Sequence, residues 1–137
     1  MTAVLDPKVR ARPLAEVKAE IVRRGGHMNP LDDIKPEDAA GVAQALTSLD
    51  RDEWAREWSK LGNRYEAEAD ALARSGGDGS KLASLYLLAF NYFRIARYPC
   101  PTTAGTQQAY GHSLRNFRKA AKHFDLEMQL PLLGVEL

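Results

Sequence analysis

The run K-L-A-S-L-Y-L-L-A-F-N-Y-F-R-I-A-R-Y, residues 81–98, constrains this chain more than any other stretch. Drawn as a helix it is apolar around most of its circumference rather than along one stripe, so it must be buried on several sides. Its longest apolar stretch, residues 82–93, contains Ser84 and Asn91 and is too short to span a bilayer. A chain of 137 residues, 45% of them hydrophobic, has the size and composition of one domain with a moderate core. In a small helical bundle, the face carrying Tyr86, Phe90 and Phe93 would still hold more apolar surface than its few neighbours can cover. A further surface is therefore expected to cover it.

The segments around this helix are also helical. Pro13 can open a helix carrying Leu14, Val17, Ile21 and Val22, which Gly25-Gly26 stops. Residues 27–35 read as a loop. Pro36 opens a second short helix to about Ser48, with Glu37 and Asp38 at its positive end. Asp50 is placed to cap a long third helix with Trp54, Trp58, Leu61, Tyr65 and Leu72 on its buried stripe. Gly62 inside that helix should cost about 1 kcal/mol relative to alanine, which predicts another helix passing close. The turn S-G-G-D-G precedes the apolar helix, with Ser80 as the expected cap. After the shaped loop Y-P-C-P-T-T-A-G-T comes a last helix from about Thr106. Tyr110, Leu114, Phe117, Ala121 and Phe124 share one of its faces, and Arg115, Arg118, Lys119 and Lys122 lie elsewhere, read as a solvated surface. From Leu126 the period changes. L-E-M-Q-L alternates as a half-buried strand does, and L-L-G-V-E-L reads as a turn into a second strand.

Charge and motifs exclude several functions. Nineteen basic residues against eighteen acidic ones leave a net charge of +1, which gives no general field for nucleic acid or an anionic membrane, and neither partner is expected. Cys100 is the only cysteine, so an intrachain disulfide is impossible and a reducing, cytoplasmic location is expected; the first residues lack the apolar run of a signal peptide. His27, His112 and His123 have no ligand at a standard offset, so no metal is expected, nor any other cofactor. The sequence holds no G-x-S-x-G, P-loop or dinucleotide fingerprint. Cys100, between two prolines, reads as a small packed residue rather than a nucleophile.

W-S-K-L-G-N-R-Y, residues 58–65, reproduces the W-x2-L-G-x2-Y opening of a tetratricopeptide repeat. The pattern does not continue: Arg74, Asp78 and Lys81 stand where small and aromatic residues are required, and no second copy appears. Trp58, Leu61 and Tyr65 are better read as one apolar stripe.

The order of residues in Y-L-L-A-F-N-Y-F-R-I-A-R-Y-P-C-P-T-T-A-G-T-Q-Q-A-Y resembles the helical N-terminal region of the FrsA-like α/β hydrolases, the group of 2,6-dihydroxypseudooxynicotine hydrolase. The residues that carry the resemblance are Trp54 and Trp58, Gly76 and Gly77, residues 86–94 and 97–101, Tyr110, residues 117–121, and Glu127 with Pro131. It covers about residues 35–137. The resemblance implies an all-α bundle of about five helices ending in the first strands of a missing α/β-hydrolase sheet. Residues 1–35 would form an N-terminal helix and loop, 36–124 the helical cap, and 125–137 the start of the hydrolase core. It also implies a serine hydrolase whose triad lies beyond Leu137, so that this segment is inactive alone. The substrate would be a small carbonyl compound, cleaved at an ester or at the C–C bond of a β-diketone-like group. Tyr86, Phe90, Phe93, Arg94 and Tyr98 would meet it. The cap would pack on its own hydrolase core, with a homodimer left open. The rival reading is a stand-alone helical module, of tetratricopeptide type or serving oligomerisation.

Overall fold

A computed structural model describes residues 13–124, and these form five α-helices with no strand among the described residues. The strand reading of residues 126–137 lies outside them. Two compact units divide between Leu49 and Asp50.

The first unit holds α1 (Leu14–Arg24) and α2 (Pro36–Ala45), which pack on each other. Pro13 stands just before the first turn of α1, and Pro36 occupies the first turn of α2, where a missing N–H costs nothing. Arg23 and Arg24 both reach back to Glu20, at 2.8 Å each. The connecting loop is tied by Gly26 N–H to the Leu31 carbonyl at 2.7 Å and by Arg24 Nη1 to the Asn29 carbonyl at 2.9 Å. The α2 helix ends at Ala45, three residues before Ser48 where the sequence suggested, and Leu46 turns to extended backbone. Thr47 and Ser48 are poor helix continuers, and Asp50 needs a non-helical backbone to cap the next helix.

The second unit is an up-down-up bundle of α3 (Arg51–Arg74), α4 (Gly79–Ala96) and α5 (Ala104–Ala121). As expected, Asp50 caps α3: its Oδ2 accepts from the N–H groups of Asp52 and Glu53, both at 3.1 Å. The buried stripe of α3 is Ala55, Trp58, Gly62, Tyr65, Glu66 and Ala69, a helical spacing broken only by the carboxylate of Glu66. Gly62 does mark a close approach, since a Cβ there would stand 2.7 Å from the ring of Phe93 on α4. Trp58, with 0% exposure, lies 6.2 Å from the ring of Tyr92, which stacks on Tyr65 at 5.4 Å. The repeat-like letters of residues 58–65 thus serve packing within one bundle.

Asp78, not Ser80, caps α4, its Oδ2 accepting from Lys81 N–H at 3.2 Å. The turn ahead of it needs Gly76 at φ +74°, a left-handed conformation that favours glycine. The α4 helix runs antiparallel to α3, and Trp54 Nε1 donates to the Ile95 carbonyl at 2.8 Å near its C-terminal end. The loop to α5 contains a cis Tyr98–Pro99 bond. The α5 helix starts two residues earlier than Thr106, because Thr103 and Thr106 form a reciprocal capping box. Asp52 on α3 accepts the Gly105 N–H at 3.0 Å, a carboxylate at the positive end of the neighbouring helix. With Asp52 beside the start of α5, and Glu66 further along α3 paired with Arg115 and Lys119, the two helices run parallel.

Candidate functional site

Helix α5 presents two flanks of opposite chemistry. Toward the bundle it buries Thr106, Ala109, Ser113, Asn116 and Ala120, a small and polar stripe that lets helices approach closely. On the α3 side, Arg115 Nη2 and Nε donate to Glu66 at 2.6 and 2.8 Å, a two-pronged guanidinium–carboxylate pair. Lys119 Nζ donates to Glu66 at 3.0 Å and to Asp70 at 3.2 Å. Two of the four basic residues read as solvated are therefore committed to a nearly buried carboxylate. Burial pushes the Glu66 carboxyl up, but the hydrogen bonds from Arg115 and Lys119 outweigh it and hold it at about 2. Arg115 Nη1 donates to His112 Nδ1 at 2.6 Å, and burial first and then the Arg115 charge hold the His112 pKa below the ordinary value.

The other flank carries the aromatic residues that periodicity would assign to a core. Tyr110, Leu114 and Phe117 are 42%, 37% and 44% exposed. They lie beside the α4 stripe of Leu87, Phe90, Arg94 and Arg97, residues three and four apart that share a helix face. Phe90 and Phe117 meet at 5.5 Å, Phe117 and Phe124 edge-on at 6.0 Å, and the Arg97 guanidinium sits 5.6 Å over the Tyr110 ring. The result is an apolar platform with arginines at the end where the 98–101 loop lies. What could have revealed it is the buried stripe itself, since Ala109, Ser113, Asn116 and Ala120 repeat at helical spacing with small volumes.

The five residues expected to meet substrate divide between interior and surface. Tyr86 is buried, donating its hydroxyl to Asp70 Oδ1 at 2.5 Å, with its pKa pushed up to about 12 by burial and then by that carboxylate. Phe93 is fully buried between Gly62 and the His112 ring, 5.2 Å away. Phe90 and Arg94 are half-buried on the platform, and Arg94 Nε donates to Asn91 Oδ1 at 3.3 Å. Tyr98 is 57% exposed, and Cys100 beside it is exposed rather than packed. Among the described residues no cluster of three metal-ligating side chains occurs, and no helix is long and apolar enough to cross a membrane.

No family profile and no solved structure matches the chain. A protein from an Acremonium species, named alpha/beta hydrolase ucsC, is 32% identical over 93 residues, covering 62% of this chain and 19% of the relative. The chain thus spans about a fifth of the length of that relative. The similarity supports a relationship to the α/β-hydrolase superfamily and reaches no finer subgroup.

Proposed function

We propose that α3, α4 and α5 form the helical cap of a serine α/β hydrolase of FrsA-like type, and that the aromatic platform faces the catalytic portion of the same polypeptide. The observation that carries this reading is a well-packed bundle that leaves Phe90, Tyr110, Leu114 and Phe117 on one face, in a chain similar to an α/β hydrolase. In the complete enzyme a serine would attack the carbonyl of an ester or β-diketone-like substrate, with backbone N–H groups stabilising the oxyanion. The cap's share is shape and the exclusion of water from the intermediate. Phe90, Arg94 and Tyr98 would present surface to the substrate, Arg94 orienting a polar oxygen. Tyr86 and Phe93 would hold that surface in place from beneath. No cofactor is required.

The test uses the longer polypeptide with its catalytic portion, comparing Arg94→Lys and Arg94→Met for melting temperature and for kcat/KM on short aryl esters and a β-diketone. A loss of tenfold or more in kcat/KM, about 1.4 kcal/mol, with stability kept is the expected result. Loss of stability with per-molecule activity unchanged would leave Arg94 structural. A polypeptide with no hydrolase activity at all, and a platform that instead pairs two copies, would favour the stand-alone module.

A further inference from the structure

The net charge of +1 conceals a segregation. Helices α4 and α5 with the loop between them, residues 79–122, contain no Asp or Glu, and they carry Lys81, Arg94, Arg97, Arg115, Arg118, Lys119 and Lys122. The acids of this unit's helices lie on α3, where Glu66 and Asp70 engage Arg115 and Lys119. Arg118 and Lys122 make no ion pair among the described residues, and Arg97 is held over the Tyr110 ring. Arg118 follows Phe117 directly and lies four residues beyond Leu114, so it edges the platform on its outer side; Arg94 and Arg97 edge its loop end.

We infer that the α4–α5 platform is built for a protein surface that is apolar at its centre and carboxylate-bearing at its edge, located on the catalytic portion of the same polypeptide. The inference rests on the cap reading and adds the chemistry of the partner surface. Leu114 and Phe117 supply the dry centre, and Arg97, Arg118 and Lys122 supply cations that α4 and α5 do not neutralise themselves. Charge complementarity also argues against a second copy. Two platforms packed face to face would bring acid-free, basic edges together, and like charges across an interface cost affinity. Edge charges of this kind act on docking rate and salt dependence more than on the packed centre.

The experiment replaces Arg97, Arg118 and Lys122 together by Glu in the longer polypeptide, with Arg56, Lys60 and Arg74 on α3 replaced by Glu as a control of equal charge change. Helicity is checked by circular dichroism. Docking is read by the rate of limited proteolysis between the helical and catalytic portions, from about 0.05 to 1 M NaCl, a span that covers weak to nearly complete screening. The expected result is proteolysis at least tenfold faster in the platform variant at low salt, a smaller difference at high salt, and a control within about twofold of the parent. The neutral Arg97→Gln, Arg118→Gln, Lys122→Gln variant should fall between them and lose most of the salt dependence. Equal effects of platform and control, or none, would overturn the inference. So would platform-dependent binding to vesicles of about 30 mol% phosphatidylserine, or concentration-dependent dimers that the platform variant abolishes. Because proteolysis reads docking without turnover, salt-dependent protection in a polypeptide with no hydrolase activity would uphold the acidic partner surface while removing the hydrolase reading.

Discussion

The two flanks of α5 are made from one helix, and they differ in what they do with their long side chains. Toward α3, Arg115 and Lys119 converge from the surface on the buried Glu66, and their charges are paired within the bundle's own helices. On the α4 side, Leu114 and Phe117 are large and apolar but more than a third exposed. A finished surface and an unfinished one thus stand back to back. The lesson is that apolar content does not by itself locate a core: here small residues such as Ala109, Ser113 and Ala120 take the interior, and bulky ones such as Leu114 and Phe117 stay part-exposed at the surface.

The contrast can be broken most severely from inside. Trp58→Ala should cost about 3–5 kcal/mol, because a fully buried indole stacked near Tyr92 leaves a large cavity. Trp58→Phe should lose less than half as much, since the buried Trp58 Nε1 has no hydrogen-bond partner among the described residues to forfeit. Urea unfolding followed by the remaining tryptophan and by circular dichroism measures both. An alanine loss below about 1 kcal/mol would place Trp58 outside the cooperative core.

The ion cluster is tested by acid. Glu66 lies at about 2 in the folded chain and near its ordinary 4.5 when unfolded. Its pKa is depressed by folding, so its contribution is full above about 4.5 and is lost as pH falls through 2. The shift corresponds to roughly 2–3 kcal/mol after allowing for the partly exposed Arg115 and Lys119. Glu66→Gln should remove most of that acid sensitivity between pH 4.5 and 2. Parallel stability-versus-pH curves for the two proteins would refute the assignment.

Closer to the boundary between the flanks, Gly62→Ala sets a gain of about 1 kcal/mol in helix propensity against a Cβ 2.7 Å from the Phe93 ring. The close approach should win, with a net loss of about 1–2 kcal/mol. Coupling it to Phe93→Leu should recover at least half of that loss, and a double-mutant cycle reads the coupling. The smallest effect belongs to the platform. Phe117→Ser in the chain by itself should cost about 1 kcal/mol, since the ring is 44% exposed and loses only its contacts with Phe90 and Phe124. A loss above about 2 kcal/mol would show that Phe117 is already part of the core and erase the contrast between the flanks.

Much of the architecture is local and therefore legible in the letters. Asp50 caps α3 because a short carboxylate one residue ahead of a helix meets its first free N–H groups wherever the rest of the chain goes. Pro36 and the Gly76–Gly77 turn act in the same way, and Gly62 foretold a helix crossing because nothing local explains its cost. Caps decided by competition were less legible: Asp78 displaces Ser80, and Thr103 with Thr106 begins α5 early, because either member of each pair has the right chemistry and the turn geometry selects one. The candidate site was the least legible part. The sequence supplied Phe90, Arg94 and Tyr98, as well as the basic residues of α5, but not which of them share a surface.

That assignment depends on the rotation of α5 about its own axis, which no residue of α5 fixes alone. It is set where Glu66 of α3 draws Arg115 and Lys119 inward from residues 49 and 53 positions away. Turning those cations in toward the carboxylate, with Ala109, Ser113 and Ala120 against the bundle, carries Leu114 and Phe117 out to the platform. The helices, the Asp50 cap and the Gly76–Gly77 turn arise from contacts within a few residues, so the sequence alone determined them. Which flank is closed by ion pairs and which leaves its bulky apolar residues exposed depends on pairings between distant segments, so only the tertiary structure decided it.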